Sequence, residues 1–218
     1  MKKSIPSVVI LISGRGSNLK ALIDHAVQSG AYQVRAVISN RPNAGGLLLA
    51  RNAGIETAIV DHTKFSSREA FDRVLADQVD AFDPSWVVLA GFMRVLTAGF
   101  VERYSTRLVN IHPSLLPAFP GLKTHEQALA AGVRVHGATV HLVTSQLDHG
   151  PIVDQAVLQV LPSDTPETLA ARVLELEHVM FPRALAALAR GEIQMNSERL
   201  EGALLPNLVY RFIEEKML

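Results

Sequence analysis

Ser7-Val8-Val9-Ile10-Leu11-Ile12-Ser13-Gly14-Arg15-Gly16-Ser17-Asn18-Leu19 is the stretch on which the fold turns. An apolar run without alternation reads as a strand buried on both faces, the kind found inside parallel sheets. Gly14 to Asn18 then forms a tight turn, and Asn18 is placed to cap a helix carrying Leu19, Leu22, Ile23 and Ala26 on one face. Gly30 stands just past that helix, where a left-handed residue ends it. Strand, glycine turn, helix is the opening unit of a helix-covered sheet.

The unit repeats. Residues 34–39 read as a second strand and Asn40-Arg41-Pro42-Asn43 as a loop. A short helix ends near Gly54, and residues 57–60 make a third strand. Ser66 and Glu69 form a capping box for a helix burying Phe71, Val74, Leu75 and Val79. Residues 86–90 are a fourth buried strand. This rhythm predicts an α/β fold built on a doubly wound, mostly parallel sheet.

The second half is less regular. Thr97 caps a short helix, residues 108–111 form a strand, and residues 124–131 look helical. Residues 135–143 and 152–160 read as two long strands joined hairpin-fashion through Ser145-Gln146-Leu147-Asp148-His149-Gly150-Pro151. Asp164-Thr165-Pro166-Glu167 is a helix start with proline in the first turn, and Pro182 is expected to kink or divide that helix. From Arg199 onward only weak periodicity remains. No linker or repeat interrupts the chain, so one domain is expected over residues 1–218.

The 218 residues hold 48% hydrophobic residues and have a mean hydropathy of +0.20, which favours a packed core over disorder. Lys+Arg and Asp+Glu both number 21, so no global field points to nucleic acid or to a membrane surface. The absence of cysteine excludes disulfides and thiolate metal sites. The apolar run from Val8 to Ile12 is too short for a signal peptide or a membrane span. A cytoplasmic location is the expectation.

Asn110-Ile111-His112-Pro113-Ser114-Leu115-Leu116-Pro117 carries the chemistry. Asn110 and His112 stand two apart, so at a strand end they share a face. An amide donor beside a group that titrates near neutrality suits a carbonyl becoming an oxyanion. Gly14-x-Gly16-Ser17-Asn18 lies where open α/β sheets bind phosphate through helix N-terminal N–H groups. Leu19 replaces the third glycine of a dinucleotide fingerprint, and the second strand ends in Ser39-Asn40 without an acid, so a phosphate monoester fits better than a pyrophosphate. Arg41 leaves only a weak case for a dinucleotide with a 2′-phosphate.

Asp148 reads either as a turn former bonded to its own loop or as a carboxylate folded back onto His112, holding its ring and favouring its charged form. His136 and His141 face opposite sides of one strand and cannot share a metal, and no His-Glu-x-x-His helix is present, so no metal is expected. Neither Ser17 nor Ser114 lies in a nucleophile elbow. Taken singly, Arg68 and Arg94 read as surface charges and Glu177 as a capping or surface acid.

Together, residues 13–19, Ala90-Gly91-Phe92-Met93-Arg94, the Asn110–Pro117 stretch and Leu147-Asp148-x-Gly150-Pro151 resemble the folate-dependent formyltransferases, from about Val8 to Gly191. The resemblance implies a Rossmann-like formyltransferase fold. It also implies transfer of a formyl group from 10-formyltetrahydrofolate to the amine of glycinamide ribonucleotide, in the third step of de novo purine synthesis. Asn110, His112 and Asp148 match the catalytic trio; Gly16, Ser17 and Asn18 match the substrate phosphate turn, and Glu177 an acid on the substrate ribose. Arg68 matches a contact to the folate tail; Met93, Arg94, Val95 and Leu96 match the pterin pocket, to which Asn110 also belongs. The division implied is a phosphate-binding half at about 7–105, a catalytic and folate-binding half at about 106–195, and a tail at 199–218 to which nothing is assigned. Small-molecule substrates, no nucleic acid, no membrane, and a monomer or homodimer are expected. His149 departs from the family, which often has a small residue there. The rivals are a formyl-folate hydrolase or a formyltransferase for another amine; relatives with an added nucleic-acid or regulatory domain would need more chain than remains outside the match.

Overall fold

The computed structural model describes residues 5–196 and 199–202. Strand β1 (Ser7–Ile12) has five consecutive buried residues and pairs in parallel with β2 (Gln33–Ser39) on one side and β4 (Trp86–Leu89) on the other. β3 (Glu56–Ile59) extends the sheet beyond β2, and β5 (Leu108–His112) beyond β4, both in parallel. β6 (Val135–Leu142) and β7 (Ile152–Gln159) then add an antiparallel hairpin beside β5. The order is β3-β2-β1-β4-β5-β6-β7, the doubly wound, mostly parallel architecture expected. The order reverses between β1 and β4, which opens a crevice beyond their carboxyl ends.

Helices cover both faces. α1 (Ser17–Ser29), α2 (Gly45–Asn52), α5 (Thr124–Ala130) and α6 (Pro166–Arg190) pack on one face, around Ile10, Leu22, Val88 and Phe181. α3 (Arg68–Asp80) and α4 (Ala98–Arg103) cover the other, around Leu11, Ile38, Phe71 and Tyr104. Beyond α6, β8 (Ile193–Asn196) and β9 (Arg199–Gly202) form a separate two-stranded ladder. The expected tail beyond Gly202 lies outside the described residues.

Several local expectations are corrected. α1 is not capped by Asn18: Gly16 holds the cap position at φ 86, and Asn18 lies buried inside the first turn. A side chain at Gly16 would stand 2.8 Å from the Gly46 Cα, so glycine is required both for the left-handed backbone and for the approach of α2. The cap of α3 is Ser67, whose side chain accepts from Ala70 N, rather than Ser66. Val74 is 43% exposed, while Asp72 is buried and accepts from Thr97 N at 2.6 Å. The start of α6 follows the expectation: Thr165 caps it and Thr168 completes the capping box. Pro182 does not divide α6, which runs unbroken to Arg190. Pro182 is buried, and that burial offsets the backbone bond proline cannot make.

Candidate active site

The carboxyl end of β5 delivers Asn110 half-buried and His112 5% exposed, on the same face as their spacing requires. The register of β6 sets His141 opposite Asn110 and Thr139 opposite His112. His141 Nδ1 lies 3.0 Å from the Leu142 carbonyl, which can only accept, so Nδ1 carries the hydrogen. Burial lowers the pKa of His141 and keeps Nε2 bare; the Leu142 bond and the Asp148 charge oppose this less strongly. Nε2 therefore accepts from Asn110 Nδ2 at 3.1 Å, which fixes which end of the amide is the nitrogen. One Nδ2 hydrogen remains for the site.

After His112 the chain turns under the control of Thr139. Its hydroxyl donates to the Ser114 carbonyl at 2.7 Å and accepts from Leu116 N at 3.0 Å. Gln155, reaching from β7, donates to Thr139 Oγ1 and to the Leu116 carbonyl. Sequence reasoning missed His141, Thr139 and Gln155 as supports of the site. The only signal was the pairing of two long strands beside the Asn110 strand, and it gave no register.

Asp148 comes back onto His112, with Oδ2 3.5 Å from Nδ1. The local turn-former reading does not hold: the same oxygen accepts from Gly121 N at 2.8 Å, across to another loop. The other ring nitrogen of His112, Nε2, donates to the Phe119 carbonyl at 3.0 Å. Behind the ring, His125 and His136 face one another at 3.2 Å. Burial pushes His136 down to about 4, helped by His125; burial and then the nearby His112 lower His125. That pair adds no positive charge beside His112 at neutral pH. His149 is exposed next to Asp148.

The glycine turn follows β1, two places from β5 in the sheet order. Ser17 is exposed at the start of α1. Asn18 donates to Glu177 Oε2 at 2.6 Å, joining α1 to α6, and its Oδ1 is buried without a partner. Glu177 is 7% exposed, so it is neither a surface acid nor a cap. Burial pushes its carboxyl up to about 7, against the lowering effect of the Asn18 bond. A buried carboxyl and an orphaned amide oxygen side by side form an acceptor pair suited to hydroxyl donors.

The segment after β4 supplies apolar surface. Met93 and Val95 are 64% and 52% exposed, while Leu96 packs partly into the core. The Arg94 guanidinium lies 4.6 Å over the Phe71 ring, with its Nε buried and unpartnered. Arg68 is exposed at the first turn of α3. Exposed apolar side chains on a segment that also carries the Arg94 guanidinium fit a flat heteroaromatic ligand.

Residues 7–185 match the formyl transferase family. Phosphoribosylglycinamide formyltransferase of Escherichia coli (strain K12) is 48% identical over 204 residues, 92% of this chain and 96% of that protein. The trifunctional purine biosynthetic protein adenosine-3 of Homo sapiens is 43% identical over 89% of this chain, which corresponds to 19% of that longer protein. A solved structure of phosphoribosylglycinamide formyltransferase from Coxiella burnetii in complex with CHES superposes with a TM-score of 0.86 at 49% identity, covering 89% of this chain and 92% of that one. Glycinamide ribonucleotide transformylase 1 from Symbiobacterium toebii superposes with a TM-score of 0.87 at 42% identity, covering 92% and 95%.

Proposed function

We infer the reaction from the premise that this chain belongs to the formyl transferase family. It is an enzyme that transfers a formyl group to the amine of glycinamide ribonucleotide, as its relatives of matching length are named for doing. The donor we propose is 10-formyltetrahydrofolate. The observation that carries the reading is the meeting of Asn110, His112 and Asp148 at the carboxyl end of β5, in the same sheet whose β1 leads into the glycine turn.

The substrate phosphate sits on the N–H groups at Gly16, Ser17 and Asn18, where the α1 dipole favours an anion. Glu177 accepts from the ribose hydroxyls, and the amine then points toward His112. Met93, Val95 and Leu96 receive the pterin, with Arg94 beside it, and Arg68 meets the anionic tail. The amine attacks the formyl carbon, the bond from that carbon to the folate nitrogen breaks, and the amine proton passes to the leaving nitrogen. The free Asn110 Nδ2–H and a His112 N–H stabilise the developing oxyanion, each worth about 3 kcal/mol in comparable sites. The substrate oxygen replaces the Phe119 carbonyl as acceptor for His112 Nε2–H. Asp148 holds the other face of the ring and orders a water for proton relay.

Formyl-folate consumption measured with glycinamide ribonucleotide, with phosphate-free glycinamide and with neither tests this reading. Rapid turnover only with the ribonucleotide is expected. Equal turnover without any amine would make the protein a hydrolase, and equal use of phosphate-free glycinamide would remove the phosphate role of the turn.

A further inference from the structure

Ser13 directly follows β1, one residue before Gly14 of the glycine turn, and is 4% exposed. Its hydroxyl has one hydrogen, donated to Asn40 Oδ1 at 2.6 Å. With that hydrogen committed, a lone pair accepts from Met93 N at 2.8 Å. Ser13 N also donates to the Gly91 carbonyl at 3.2 Å. Asn40 is 1% exposed, and its carbonyl accepts from His62 Nδ1 at 2.8 Å. The exits of β1, β2 and β4 are thus tied together at the point where the strand order reverses.

The segment from Met93 to Leu96 lies between two regular elements without belonging to either. Side chains hold its ends: Ser13 Oγ at Met93 N and Asp72 Oδ2 at Thr97 N. Asp72 belongs to α3, a separate element from the stretch that carries the turn. Ser13 belongs to the same short stretch as Gly16 and Ser17, so a phosphate that fixes the turn also fixes the hydroxyl on which Met93 depends.

We propose that Ser13 is a positioning residue that couples the two substrate sites, so that filling the phosphate turn strengthens folate binding and the reverse. This rests on the functional reading above. Such coupling is reciprocal by thermodynamic necessity, and factors of about 5 to 150 are typical.

The test is a binding cycle by calorimetry. Affinities for glycinamide ribonucleotide and for unformylated tetrahydrofolate are measured alone and each in the presence of the other, for the unmutated protein, Ser13→Ala and Ser13→Thr. The unmutated protein should show coupling of at least about fivefold. Ser13→Ala should bring it near onefold while leaving the ribonucleotide affinity measured alone within about twofold. Ser13→Thr, which keeps the hydroxyl, should restore it. A merely structural serine would change single affinities or melting but leave the ratio intact. Asn40→Ala removes the acceptor that aims the hydroxyl; it should lower the same ratio and serves if Ser13→Ala does not fold. Both ligands binding with coupling unchanged in these variants, or absent from the unmutated protein, would overturn this inference alone. Failure of the unmutated protein to bind the ribonucleotide would overturn the functional reading and this inference with it.

Discussion

Glu177→Gln should make the protein more stable and less able to hold its substrate, and the balance should depend on pH. The carboxyl is 7% exposed, and burial raises it from 4.5 to about 7. Between those values the folded chain holds a proton that the unfolded chain has released. The stability linked to that proton is therefore full below about pH 4.5 and is lost as pH rises through about 7. Holding the carboxyl at about 7 rather than 4.5 corresponds to roughly 3–4 kcal/mol. Glutamine keeps the shape of the protonated acid and, with the Asn18 amide turned over, can donate to the orphaned Asn18 Oδ1. Near pH 5 the variant and the unmutated protein should melt together. By pH 8 the variant should melt later by up to about 10 °C, taking about 2–4 °C per kcal/mol for a chain of this size. The ribose hydroxyls lose a charged acceptor, so the KM for glycinamide ribonucleotide should rise about tenfold or more. In the unmutated protein the same KM should rise as pH falls below about 7, where the ribose partner becomes protonated. Ligand-free melting curves across pH 5–8, followed by substrate kinetics, make the measurement. A melting difference that is the same at both ends of that range would refute the buried-carboxyl reasoning.

The remaining predictions bear on the reacting centre and the turn. His112→Ala should lower turnover by about two to three powers of ten while leaving folate affinity nearly unchanged, as single-turnover kinetics and folate titration would show. Asp148→Asn keeps an acceptor for Gly121 N but removes the charge 3.5 Å from His112 Nδ1. Turnover should fall while folate affinity stays nearly unchanged; kinetics of the two enzymes run side by side would show no difference if the charge plays no part. Gly16→Ala places a methyl 2.8 Å from Gly46 Cα at a positive φ. It should lower thermal stability and raise the ribonucleotide KM while inhibition by folate analogues persists; a normal KM would separate the turn from the phosphate.

The sheet was legible because its strands are apolar on both faces and the turns between them are rich in glycine and polar residues, so residues 7–12 and 86–89 needed no partner to be read. The face shared by Asn110 and His112 follows from strand geometry alone. Where a reading failed, a contact between distant segments decided the outcome. Asn18 is a good cap by type, yet Glu177, 159 residues away, draws its amide into the core. Glu177 looks solvated on its own helix and is buried only because α6 packs on α1. Ser66 and Ser67 are equally good caps by type, and the one whose hydroxyl meets Ala70 N wins.

Asp148 shows most directly why the site cannot be read from spacing. β6 runs opposite to β5, so the chain leaves the sheet with Val143 bonded to Leu108, at the end of β5 remote from His112. Four strand residues at about 3.3 Å each separate that exit from His112, so the loop must fold back about 13 Å across the sheet face. Two anchors hold it there. Pro151 accepts from Leu142 N at 2.9 Å, closing the base of the loop, and Asp148 accepts from Gly121 N at its tip. At the base, Gly150 leaves no room for a side chain, since a Cβ would meet the Leu142 carbonyl oxygen. The Asp148-x-Gly150-Pro151 motif is therefore a geometric requirement as much as a chemical one: the aspartate supplies the charge, while the glycine and the proline carbonyl let the loop turn back far enough to deliver it.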